Sequence, residues 1–175
     1  DAQIVIVRVA ESKLTDSGAE QQAHTVKGVQ ALRRAKALTG YAPKIIGAPE
    51  LDTQSVAAEL AAVAAATNAF AYAAGLDSDN ISEISAYREN FGQRDLMIID
   101  NDFTGFNPVS KQTEKAATIA RILGARAKLD DKIGWHKSIS NTEILGVTGL
   151  KHARTYDLLD KNSEANTLNN ADITT

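Results

Sequence analysis

Five aspartates, Asp52, Asp77, Asp79, Asp100 and Asp102, fall at or just beyond the ends of segments that read as β-strands. Carboxylates converging on one sheet edge could hold a magnesium or calcium ion through oxygen ligands. Aspartate also caps helices and closes turns at such positions, and that is the preferred reading. His24, His136 and His152 are too far apart in sequence to form a local ligand pair, and none lies in a zincin-like pattern. No Gly-x-Ser-x-Gly elbow presents a serine as nucleophile. Behind the first apolar segment the loop holds one glycine, Gly18, so neither Gly-x-Gly-x-x-Gly nor a Walker-type phosphate loop can be placed, and Gly47-Ala48-Pro49 lacks a second glycine to wrap a phosphate. The chain therefore reads as having no catalytic residue, cofactor or metal ligand. The rival reading is a flavodoxin-like or phosphatase-like enzyme domain with an acidic metal site at its strand ends.

The elements that would position these residues are organised around residues 39–52. Gly40 follows an Ala/Leu/Arg/Lys-rich segment where a helix end accepts positive φ, and Pro43 then forces an extended chain. Residues 44–47 suit a strand covered on both faces, and Asp52 or Thr53 is placed to cap the next helix. Before this unit, residues 3–10 are dominated by Ile and Val and read as a central strand with Arg8 at its mouth. Residues 11–24 read as a surface loop and 26–39 as a helix. After it, 53–68 carries Val56, Leu60, Val63 and Thr67 at helical spacing, and 69–75 is a strand. A turn at 77–80, a helix over 81–91 with Ile84, Tyr87 and Phe91 inward, and a strand over 94–99 follow, stopping at Asp100-Asn101-Asp102. Short strands joined through helices pair in parallel by right-handed crossovers. The fold class is α/β, a mainly parallel sheet flanked by helices. Beyond it, 103–110 reads as a loop and 111–129 as the longest helix, with Ala116, Ile119, Ala120 and Leu123 on its buried stripe. Residues 134–141 read as extended, 144–150 as a short strand, and 156–168 as weakly helical. A single body over 1–175 is expected, with the core layer ending near 130 and an extended appendage over 131–175.

The 175 residues suffice for one domain with its own core, and aromatic residues are only 5%, so Ala, Ile, Leu and Val must fill it. Cysteine is absent, which removes disulfides and thiolate metal sites. No run approaches the roughly 20 apolar residues of a membrane-spanning helix. Both ends break off in apolar or extended sequence, so the chain is expected to be a fragment of a longer subunit. Charge is divided along the chain: residues 50–102 hold ten Asp or Glu against Arg88 and Arg94, a net of −8, whereas 111–137 net +4. Solvated helix faces account for much of this. Opposite surfaces also suit head-to-tail contact between copies, and Lys115, Arg121 and Lys128 are the candidate contact residues. The basic stretch has only Trp135 as a stacking aromatic, which argues against nucleic acid as a partner. Trp135 reads first as an anchor joining the tail to the layer and second as a protein contact.

Several stretches in order resemble the tail sheath proteins of contractile bacteriophages and related bacteriocins, closest to the temperate-phage and R-type pyocin type. They are Val5-Ile6-Val7-Arg8-Val9, the run from Leu38 to Pro49, Ala86-Tyr87-Arg88-Glu89-Asn90-Phe91, Ala125 to Asp130 running into Gly134-Trp135-His136-Lys137-Ser138, Gly146-Val147-Thr148-Gly149-Leu150, and Leu168 to Thr175. The resemblance implies a structural subunit, not an enzyme, that polymerises as a helical sleeve around a tail tube and contracts to drive it through a bacterial envelope. It implies no cofactor. Other sheath subunits, the tube protein, a baseplate and a tail terminator are the implied partners, with no membrane binding by this chain. The implied location is the virion or a phage-tail-like particle assembled in host cytoplasm. The resemblance also implies terminal arms that link neighbouring subunits, and this chain is expected to lack both.

Overall fold

A computed structural model describes residues 3–12, 18–100 and 102–175. Asn101 and the middle of the expected 11–24 loop lie outside them. Four parallel strands form the main sheet: β1 (Ile45–Gly47), β2 (Phe70–Ala74), β3 (Leu96–Ile99) and β7 (Ile173–Thr174), in the order β1-β2-β3-β7. Ile45 pairs with Phe70, Ala71 with Leu96 and Ile98 with Ile173. Side chains alternate between two layers, as the pleat requires. Ile46, Ala71, Ala73 and Ile98 face one core together with Val56, Leu60, Val63 and Ile84. Tyr72 and Ile99 face a second core with Ile119, Ile122 and Leu129.

The first layer is built by α1 (Ala19–Ala31), α2 (Ala35–Thr39), α3 (Gln54–Thr67), α4 (Ile81–Arg88) and α6 (Glu164–Asn170). A 3-10 turn over Leu32–Arg34 joins α1 to α2. Helix α3 sets Val56, Leu60 and Val63 on one face with Ala57, Ala61 and Ala64 between them, all fully buried. Small residues there let the helix axis approach the sheet. Gly40 ends α2 at φ 81°, and Asn68 ends α3 in the same left-handed region. The opposite face is covered by α5 (Thr118–Lys132). Gly47 of β1 makes room for it, since a Cβ there would lie 3.1 Å from Ile119, Leu123 and the Tyr72 carbonyl oxygen.

The chain differs from the sequence reading in several places. Residues 3–10 do not enter the sheet. Ile4 and Ile6 are 78% and 84% exposed, and Val9 packs against α1 at Gly28. The fourth parallel strand is β7, from the other end of the chain. Second, α1 begins within the expected loop. Third, 103–116 is a hairpin of β4 (Phe103–Asn107) and β5 (Gln112–Ala116), so the basic helix starts at Thr118 and not at Lys111. Residues 108–111 turn between the strands, with Lys111 at φ 56° donating its amide to the Asn107 carbonyl. Fourth, only β6 (Gly149–Leu150) of the 144–150 segment is a strand, and it joins the other edge of β4. Residues 134–141 are a succession of turns. The tail expected as an appendage returns to the main layer, where Leu168 of α6 and Ile173 of β7 are fully buried.

Candidate functional site

The strand-end carboxylates do lie along one edge of the parallel sheet, and each is engaged by the chain itself. Arg154 closes on Asp100 with two bonds, Nε to Oδ2 at 2.9 Å and Nη2 to Oδ1 at 3.2 Å, and both side chains are buried. The same guanidinium donates to the carbonyls of Ser78 and Asp79, so it ties the turn after β2 to the end of β3. Its pKa is raised, chiefly by the bond to Asp100. Lys151 Nζ lies 2.5 Å from Asp77, and the His152 ring sits between Asp77 and Asp79. The bonds from Lys151 and His152 hold the Asp77 carboxyl below its ordinary range. Asp102 accepts from Lys115 at 3.0 Å. Asp52 makes no cap to α3. Its Oδ2 accepts the Ala74 amide at 2.6 Å, and burial raises its pKa against the lowering effect of that bond. Thr53 occupies the cap position without a side-chain bond.

Residues 151–154 are thus a strap across the carboxyl ends of β2 and β3, the place where open α/β sheets usually receive ligands. Each of the five carboxylates meets a basic side chain or a backbone amide of the same chain. The sequence carried a signal for this in Lys151-His152-Ala153-Arg154, three basic residues in four. Their pairing with residues some 50 to 75 positions upstream has no local signature.

The four candidate contact residues divide. Lys115 bridges Asp102 and Glu50, 3.4 Å away, so the acidic and basic blocks already meet within one chain. Arg121 turns toward its own backbone, donating from Nη1 to the Leu145 carbonyl at 2.7 Å. It passes beside Gly146, whose φ of 75° and lack of a Cβ the contact requires. Lys128 is exposed on α5. Trp135 is 84% exposed, and this overturns its reading as a packing anchor. The buried Arg126 does the anchoring, donating to the carbonyls of Trp135 and Lys137 and pairing with Asp130, so the turn is fixed while the indole stands outside.

Sequence reasoning missed a groove of about 300 Å³ between α5 and residues 142–145. Leu129, Ile133, Ile144 and Leu145 line it, with Arg121, Lys128 and Lys132 among its polar residues. Its apolar walls come from two segments far apart in sequence, so neither segment reveals it alone.

Residues 24–175 match the family model described as phage tail sheath protein central domain. The chain is 43% identical over 148 residues to the tail sheath protein of Escherichia phage P2, covering 85% of this chain and 37% of that protein. It is 36% identical over 182 residues to the major tail sheath protein of Serratia phage KSP20, covering 98% of this chain and 46% of the relative. The tail sheath protein of Burkholderia phage BcepMu is 31% identical over 166 residues, covering 90% and 35%. The chain therefore spans less than half the length of these curated relatives.

Proposed function

Because the chain belongs to the phage tail sheath protein family, matching its central domain, we propose that it is the body of a structural subunit that packs with copies of itself into a sleeve around a tail tube. Contraction of that sleeve drives the tube through a bacterial envelope, with a baseplate and a tail terminator at the two ends. The subunit works in the virion, or in a phage-tail-like particle, after assembly in the host cytoplasm. It carries out no reaction of its own. One observation supports this most: the strap of residues 151–154 occupies the ligand edge of the parallel sheet, with Asp100 and Arg154 buried against each other. A mechanical part gains from such internal ties, because its contacts with neighbours can exchange while the body stays intact.

Among the contact residues, Lys128 and Trp135 are exposed, whereas Lys115, also exposed, and Arg121 act first within their own chain. Expression of the full-length subunit followed by negative-stain electron microscopy tests the reading. Hollow sleeves are the expected product. A full-length protein that stays monomeric at every concentration and salt condition tried would overturn it.

A further inference from the structure

The groove on α5 has a complement elsewhere on the same chain. Residues Tyr156-Asp157-Leu158-Leu159-Asp160 form an exposed turn in which Leu158 and Leu159 are 79% and 91% exposed. These leucines are not on a loose loop. Asp157 Oδ1 accepts the Leu159 amide at 2.8 Å, and Asp160 Oδ1 accepts the Asn162 amide at 2.9 Å. Asn166 of α6 then donates to the carbonyls of both Asp157 and Asp160, each at 2.8 Å. The backbone is therefore held from inside at two points, with two large apolar side chains presented to water between two carboxylates. Such display is costly for an isolated chain and marks a contact surface.

We propose that the 156–160 turn of one copy seats in the α5 groove of the next, Leu158 and Leu159 against Ile133, Ile144 and Leu145, and Asp157 and Asp160 against Lys128 and Lys132. The charges are complementary: the turn is acidic, and the groove has basic residues along α5, with Glu143 the one acidic lining residue. The groove's 300 Å³ holds a pair of leucine side chains. A copy cannot fill its own groove in this way. The turn is fastened to α6, in the layer containing α3 and α4, and the groove belongs to α5 on the opposite face of the sheet. Two different patches on opposite sides of one body give a head-to-tail contact, which propagates into rings or helical filaments. Apolar seating supplies adhesion, and the charge pairs fix orientation and make the contact dependent on salt.

This contact rests on the sheath reading, and the test separates the two. Full-length subunits carrying Leu159→Cys together with Leu145→Cys, and in a second variant Leu159→Cys with Ile133→Cys, are assembled and oxidised. Single-cysteine versions serve as controls. A ladder of disulfide-linked subunits on a non-reducing gel, seen for a pair and absent from its singles, is expected. In parallel, Leu158→Ser/Leu159→Ser should abolish sleeves. Asp157→Asn/Asp160→Asn, which keeps the turn's oxygen acceptors, should yield sleeves that fall apart at lower salt than the parent's. Sleeves that form normally in all these variants, with no ladder from either cysteine pair, would overturn the contact and leave the sheath reading standing. If the unmodified full-length protein forms no sleeves under any condition, the sheath reading fails and the contact fails with it.

Discussion

Arg154 reaches across from the segment after β6 to grip Asp100 at the end of β3 through two parallel bonds, and neither side chain is open to water. The pair couples the parallel sheet to the chain that has just left the antiparallel one. Charges taken from water depend on each other for solvation, so the cost of removing one exceeds the worth of the pair.

Arg154→Met in the full-length subunit should therefore lower unfolding free energy by about 3–5 kcal/mol, since it strands a buried carboxylate. Adding Asp100→Leu should recover most of that loss. Urea denaturation followed by circular dichroism measures both. Equal stability of Arg154→Met and the parent would show that Asp100 is not solvated by this arginine.

Asp52 separates a charge effect from a hydrogen-bond effect. Its carboxyl is held in partly buried surroundings that raise its pKa, so its ionisation opposes folding as pH climbs through the carboxylate range. Asp52→Asn keeps an acceptor for the Ala74 amide without the charge and should match or exceed the parent's stability at pH 7. Asp52→Ala removes the acceptor and should cost about 1–3 kcal/mol. Thermal melts of the three proteins at pH 7 give the ranking, and a reversed order of the two variants would refute it.

Tyr87 predicts behaviour at the alkaline end. Burial, then the nearby Asp52 charge, pushes its phenol up to about 12. Its ring packs on Phe91 with centroids 5.2 Å apart. The neutral phenol is thus favoured by the fold. Its stabilising contribution is whole below the ordinary tyrosine value of about 10 and disappears as pH rises toward 12. Stability measured across that interval should fall less steeply for Tyr87→Phe than for the parent. Tyr72, also raised by burial, leaves a remaining slope in the variant.

Most of the parallel layer could be read from local patterns because each element carried its own punctuation. Gly40 and Pro43 bracket the turn into β1, and Val56, Leu60 and Val63 keep helical spacing through α3. The apolar runs 69–75 and 96–99 are too short for helices. Legibility failed where the deciding partner was remote. Residues 3–10 and 173–174 are both rich in β-branched side chains, and nothing in either says which one lies beside β3. The hairpin 103–116 was hidden because β5 is polar along Gln112-Thr113-Glu114-Lys115, with only Ala116 buried, so its composition suits an exposed helix as well as an exposed strand. The tally of carboxylates at one edge was correct, and their role was not evident from them. It is set by Lys151, His152 and Arg154, whose arrival depends on the path of the intervening chain.

The sheet's last place is filled by residues synthesised long after its other three strands. Asp100 donates its amide to Thr174, and Ile98 lies opposite Ile173. Until the ribosome has delivered that segment, one border of β3 stands open, with its backbone groups available to any passing strand. Neighbouring nascent subunits on the same messenger would offer such strands at high local concentration. The timing of translation through 102–172 thus becomes a determinant of yield, and a slow stretch in that interval would favour aggregates over folded bodies.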